Sequence, residues 1–132
     1  MNGEFYQNFF SENERLYIAE TVRMNPGNFD IDEEKETIDK IFSLSIQEAE
    51  SYFLDDEDRI ARVTPYSIEN GSISGNKDRS LDYEKEGWWW LRSPGSNSIN
   101  AAIVENDGAI DEDGNFIENS AGFIRPALWL NL

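Results

Sequence analysis

Apolar positions recur along this chain at two different spacings, and the change falls near Trp88. Before it, Phe5, Tyr6, Phe9 and Phe10 make a helical stripe over residues 2–10. Ser11-Glu12-Asn13-Glu14 has the form of a capping box, in which a hydroxyl and a glutamate three positions later satisfy each other's backbone N–H groups. It precedes Leu16, Tyr17, Ile18 and Val22, so the spacing predicts a second helix from Glu12, stopped at Asn25-Pro26-Gly27-Asn28. Phe29 to Asp39 is acidic and reads as an exposed loop, after which Ile38, Ile41, Phe42 and Leu44 form a strand-like apolar run. A second capping box, Ser45-Ile46-Gln47-Glu48, opens a helix through about Phe53, with Ile46, Ala49, Tyr52 and Phe53 expected inside. Asp55-Asp56-Glu57-Asp58 sets carboxylates at the start of a further helical turn containing Arg59 and Arg62, where the helix dipole favours them.

Beyond Arg62 the pattern dissolves into Val63-Thr64-Pro65-Tyr66 and the turn-rich loop Asn70–Asn76, then resumes with a strand period. Strands are expected over 88–91, 100–105, 109–111, 116–118 and 123–130. Asn106-Asp107-Gly108 and Glu112-Asp113-Gly114-Asn115 read as hairpin turns, and Pro126 as the mark of an edge or a bulge. The fold class that follows is α+β, with short N-terminal helices packed on a C-terminal antiparallel β-sheet. One domain of 132 residues is expected, divided into a mainly helical part (1–62), a loop-rich connection (63–87) and an antiparallel β meander (88–132).

Composition narrows the chemistry. With no histidine and no cysteine, the usual general base, the commonest zinc ligands and disulfides are all missing. A net charge of −16 without clustered Lys or Arg argues against binding nucleic acid by phosphate neutralisation and disfavours anionic membranes. No apolar run is long enough to span a bilayer, so no membrane insertion is expected. Met1-Asn2-Gly3-Glu4-Phe5 lacks the regions of a signal peptide, which leaves localisation open: cytoplasmic as given, surface or extracellular if the true N-terminus lies upstream.

The charge is uneven. Residues 88–132 hold six acids and two bases, Arg92 and Arg125, each set in an aromatic motif close to a proline. Guanidinium forks tie carbonyls and carboxylates together, so both arginines are expected to be structural. Trp88, Trp90 and Trp129 are expected to be structural as well. In a strand Trp89 points opposite to Trp88 and Trp90, which makes it the candidate sugar-stacking face, although burial of both sets is the favoured expectation. Ser96, Asn97, Ser98 and Asn100 are the candidate ligand-contacting rim.

Several motifs together resemble a bacterial family of unknown function, common in gut Firmicutes. They are Trp-Trp-Leu-Arg-Ser-Pro-Gly at 89–95, Ala101-Ala102-x-Val104, Asp107-Gly108-x-Ile110 and Arg125-Pro126-Ala127-Leu128-Trp129-Leu130-Asn131-Leu132. Upstream pieces agree, among them Asn2-x-x-Phe5-Tyr6 and Thr64-Pro65-Tyr66. That family is similar to C-type-lectin-like folds, including formylglycine-generating-enzyme-like domains and the variable proteins of diversity-generating retroelements. In those variable proteins, binding residues sit in the region matching Ser96–Asn100. Two departures stand out. Gly122-Phe123-Ile124-Arg125-Pro126 sets the glycine one residue further from the arginine than the family's Gly-Val-Arg-Pro. The chain also starts inside a stretch that family members precede with further strands. The resemblance therefore implies a shortened domain with an open sheet edge beside the C-terminal strand, filled by a second copy or another chain, or blunted by Pro126.

These readings converge on a non-enzymatic interaction module for a glycan or protein surface. The cysteine-based oxidation of the related enzymes cannot be carried over, since cysteine is absent. Alternatives are an acidic decoy for a basic partner and a carboxylate-based hydrolase using Glu105 with Asp107 or Asp111 with Asp113. No cofactor is expected. Calcium is the one metal entertained, with Asp107, Asp111 and Asp113 as weak candidates, because the twelve-residue EF-hand spacing is not met.

Overall fold

Among the described residues five short helices and seven strands follow one another, and the longest strands gather in a C-terminal antiparallel sheet. The computed structural model describes residues 3–25, 27, 34–69 and 86–132. The expected loop Asn70–Asn76 and the turn after Asn25 lie largely outside the described residues. The helices are α1 (Glu4–Phe9), α2 (Glu12–Arg15), α3 (Ile46–Tyr52), α4 (Asp56–Arg59) and α5 (Pro65–Glu69). The strands are β1 (Thr21–Asn25), β2 (Lys35–Asp39), β3 (Ala61–Arg62), β4 (Glu86–Gly87), β5 (Trp89–Pro94), β6 (Asn100–Val104) and β7 (Ile110–Phe116). They form two two-stranded sheets, β1-β2 and β3-β4, and one three-stranded sheet in the order β5-β6-β7. This is an α+β architecture. No helix among the described residues is long and apolar enough to cross a membrane.

Both capping boxes form as expected. Ser11 and Ser45 accept from the N–H groups of Glu14 and Glu48, and each glutamate accepts in return from its serine's N–H. Helices this short are marginal in water without tertiary support. α3 gains that support by burying Ala49 against Phe42, Leu44, Trp89, Leu91, Ala102 and Val104, the main core cluster. Ile46 and Phe53 pack against this cluster, whereas Tyr52 is half exposed rather than inside.

Three expectations are corrected. The helix from Glu12 ends at Arg15, and the chain returns as β1, paired with β2 from Thr21↔Asp39 to Asn25↔Lys35. The described part of the acidic stretch is thus partly strand. The hairpin disguises itself by inverting the usual polarity: Val22, Met24 and Ile38 face solvent while Arg23 faces inward. Next, Glu112–Asn115 does not turn the chain. The Asp111 carboxylate accepts from the N–H groups of Asp113 and Gly114, and Gly114 sits at φ +70°, so the turn signal becomes a bulge inside the single strand β7. Asp107-Gly108, by contrast, does close the β6–β7 hairpin, with Glu105 N–H donating to the Ala109 carbonyl at 2.8 Å.

Finally, residues 123–130 are not a sheet strand. They form a strap touching three places through isolated bridges, Trp89↔Phe123, Phe42↔Ala127 and Ile18↔Leu130. The strap and the Leu44 carbonyl cover the edge of β5, since Trp90 N–H donates to the Phe123 carbonyl and Arg92 N–H to that of Leu44. The outer edge of the three-stranded sheet is therefore β7, not the C-terminal segment.

Candidate binding groove

α1 sets its aromatic stripe against the strap and α5. Phe5 and Phe9 stack with ring centroids 4.5 Å apart, and Phe9 meets Tyr66 edge to face at 5.4 Å. Tyr66 is placed by the start of α5, where Pro65 takes the first helical position and Thr64 Oγ1 accepts from Ser67 N–H at 3.3 Å. On the facing wall, Phe123 is held by two backbone bonds, its N–H to the Trp88 carbonyl at 3.1 Å and its carbonyl from Trp90 N–H at 3.0 Å.

Between these walls lies a groove of about 690 Å³, within the range of small-ligand sites. Phe5, Phe9, Val63, Tyr66, Phe123, Ile124 and Pro126 are among its apolar lining, and Arg62, Thr64, Ser67 and Arg125 line it with polar side chains. No Asp or Glu lines it among the described residues, although the chain carries 27 acids. Trp89 closes the deep end with 0% of its own surface open to solvent.

The deep end is braced through one carbonyl. Arg59 O accepts from Trp89 Nε1 at 3.0 Å and from Arg125 Nη1 at 2.8 Å. The Arg59 side chain is itself buried, donating from Nε to the Gly108 carbonyl at 2.8 Å and pairing with Asp56. Gly108 has φ +88°, and a Cβ there would collide with the Asp56 carbonyl, so glycine is required where α4 meets the β6–β7 turn. Arg125 lies over the rings of Phe53 and Trp89, 4.7 and 5.1 Å from their centroids. Burial pushes its pKa below the ordinary arginine value.

Arg125 is thus tied to the Arg59 carbonyl and to two rings. Arg92 is held differently: its Nη1 is 3.2 Å from Glu48 Oε2, an ion-pair distance without hydrogen-bond geometry. Trp88 and Trp90 cross edge to face at 4.9 Å and close over Gly122. Trp129 packs its ring edge-on against Tyr52 at 5.9 Å and stays half exposed.

Trp89 is corrected as a candidate sugar platform, because a ring without accessible surface has no face to offer. The strand period separated it properly from Trp88 and Trp90, but the strap and α3 then covered it. Ser96, Asn97 and Ser98 lie in the β5–β6 connection and Asn100 opens β6, and none of the four lines the groove. Ser96 N–H donates to the Asp113 carbonyl at 3.0 Å, Asn97 Oδ1 accepts from Ile99 N–H at 3.0 Å, Ser98 is exposed, and Asn100 Oδ1 is buried with no partner among the described residues. Asp107 and Asp111 accept from backbone N–H groups of their own turns, Asp113 is exposed, and no three acidic side chains converge on a metal-sized site among the described residues.

Sequence reasoning missed the groove itself. Its signal was visible in the aromatic stripe of α1, but the partners Tyr66 and Phe123 are brought to it only by tertiary structure.

Comparison with curated proteins and with solved structures gave no match. A family model described as Domain of unknown function (DUF6273) matches residues 1–132, and the chain belongs to that family.

Proposed function

We propose that this domain is a non-enzymatic binding module whose groove takes a short protein segment carrying apolar anchor residues flanked by basic ones. The observation behind this reading is the contrast between the lining and the rest of the chain. An apolar, aromatic, acid-free groove favours apolar side chains, while a net charge of −16 around it favours cationic flanks and speeds encounter with them. A sugar fits the lining less well, since polar groups are few there and the buried Trp89 offers no stacking face. The same proposal takes the fold as C-type-lectin-like and the source as a gut bacterium of the Firmicutes. Its support is that the Trp-Trp-Leu-Arg-Ser-Pro-Gly and Arg-Pro-Ala-Leu-Trp-Leu-Asn-Leu motifs meet around Trp89.

Panning a random peptide display library on the intact protein, beside a broad glycan array, tests the reading. Peptides with apolar clusters between Lys or Arg are expected, with affinity reduced about tenfold or more in Phe9→Ala while its thermal midpoint moves by only a few degrees. Raising salt from about 50 to about 500 mM is expected to weaken the complex without abolishing it. Complete loss in high salt with indifference to Phe9→Ala would instead mark an acidic decoy, and glycan hits without peptide hits would replace the reading altogether.

A further inference from the structure

On another face of the molecule, β1 presents Arg23, α3 presents Glu48 and β5 presents Arg92, and the three charges meet. Glu48 divides its carboxylate between them. Oε1 pairs with Arg23, while Oε2 lies 3.2 Å from Arg92 Nη1 and accepts from Ser45 N–H at 2.9 Å. All three side chains are largely withdrawn from water, with exposures of 8% for Arg23, 15% for Glu48 and 16% for Arg92. In direct contact there are thus two cations and one anion, a surplus of one positive charge at a site where charge is costly.

Bonding is incomplete as well as charge. Arg23 Nε and Nη2 and Arg92 Nε and Nη1 are buried donors with no hydrogen-bond partner among the described residues. Folded proteins rarely leave such groups unsatisfied. Phe42 covers one face of the Arg23 guanidinium at 3.5 Å, so a new partner must approach in the plane, where the N–H groups point. Space exists beside Arg92, whose side chain joins Ser45, Gln47 and Ser93 in lining a polar cleft of about 420 Å³.

We propose that this triad is one half of a carboxylate-binding site. A singly charged carboxylate enters the cleft at Arg92, the guanidinium that lines it, and balances the second cation that Glu48 alone serves in direct contact. One negative charge fits better than two, because Glu34 and Glu112 also line the cleft and oppose a dianion. Asp39 adds further negative potential at Arg92. Burial lowers the Arg92 pKa against the opposing pull of Glu48. A buried water would accept some of these bonds but leave the charge unmatched.

The test uses the intact chain and three sodium salts, chloride, acetate and phosphate, at matched ionic strength. Thermal midpoint and the arginine Nε–H NMR signals are followed in the natural protein, Arg92→Gln and Glu48→Gln. Acetate is expected to raise the midpoint saturably over chloride in the natural protein and to shift the Arg92 signal. Glu48→Gln should be weaker in chloride yet gain more from acetate, since the added carboxylate replaces the one removed. Arg92→Gln should lose the acetate response. If it does not fold, Arg92→Lys, which keeps the charge without the fork, should bind acetate about tenfold more weakly. An acetate response unchanged in the Arg92 variants, or absent from Glu48→Gln, would overturn the site. A phosphate response stronger than acetate would overturn the assignment to a single charge.

Discussion

Two arginine pairs sit within one small molecule, and they are finished to different degrees. Arg59 and Arg125 are bound into their surroundings: Arg59 reaches the Gly108 carbonyl and Asp56, and Arg125 reaches the Arg59 carbonyl while lying over Phe53 and Trp89. Arg23 and Arg92 share a single glutamate and keep four buried donors without partners among the described residues. Guanidinium chemistry is the same in both places. What differs is the supply of acceptors: a hairpin turn and a helix end bring carbonyls to the first pair, whereas the second is enclosed mainly by side chains. A satisfied arginine behaves as a brace, and an under-satisfied one holds binding capacity in reserve.

The sharpest way to break this contrast is to remove one member of each pair. Arg59→Met leaves the buried Gly108 carbonyl without its donor, and a loss of roughly 2–4 kcal/mol is expected in urea unfolding. Arg92→Met leaves Arg23 and Glu48 as a neutral pair and deletes two unpartnered donors, so its stability should stay within about 1 kcal/mol of the natural protein. Equal losses in the two variants would erase the distinction.

The smallest effect comes from comparing the capping glutamates. Glu48 is recruited by arginines, while Glu14 only caps. Hydrogen bonds from the Ser11 N–H, and secondarily its hydroxyl, hold the Glu14 carboxyl below its usual 4.5. A carboxyl lowered in the folded state stabilises fully above its unfolded pKa and loses that contribution as pH falls through the folded value. Glu14→Gln should therefore lower α2 amide protection slightly at neutral pH and match the natural protein once the pH is well below about 4.5, leaving a flatter pH profile.

Local signals were the legible part of the fold. The two capping boxes and the Asp107-Gly108 hairpin follow from a few neighbouring residues, and both kinds of feature are present. The β1–β2 hairpin was hidden because its outward Val22, Met24 and Ile38 and inward Arg23 invert the cue that period-2 reading relies on. Gly114 carried a true turn preference, but β6 held the chain in register around it and the turn became a bulge. Neither site was legible for a further reason. The groove joins α1, α5 and the strap, and the triad joins β1, α3 and β5, so each depends on contacts that no local spacing records.

The strap also bears on how the molecule reaches its final state. Its three bridges join the last residues of the chain to Trp89, to Phe42 and to Ile18, progressively earlier positions. Contacts so distant along the sequence close large loops, and their entropy must be lost before the bonds are gained. The core around Trp89 consequently lacks its lid until residues 123–130 have docked. Docking of the strap is therefore expected late in folding, with residues 123–130 acting as a clasp across Ile18, Phe42 and Trp89.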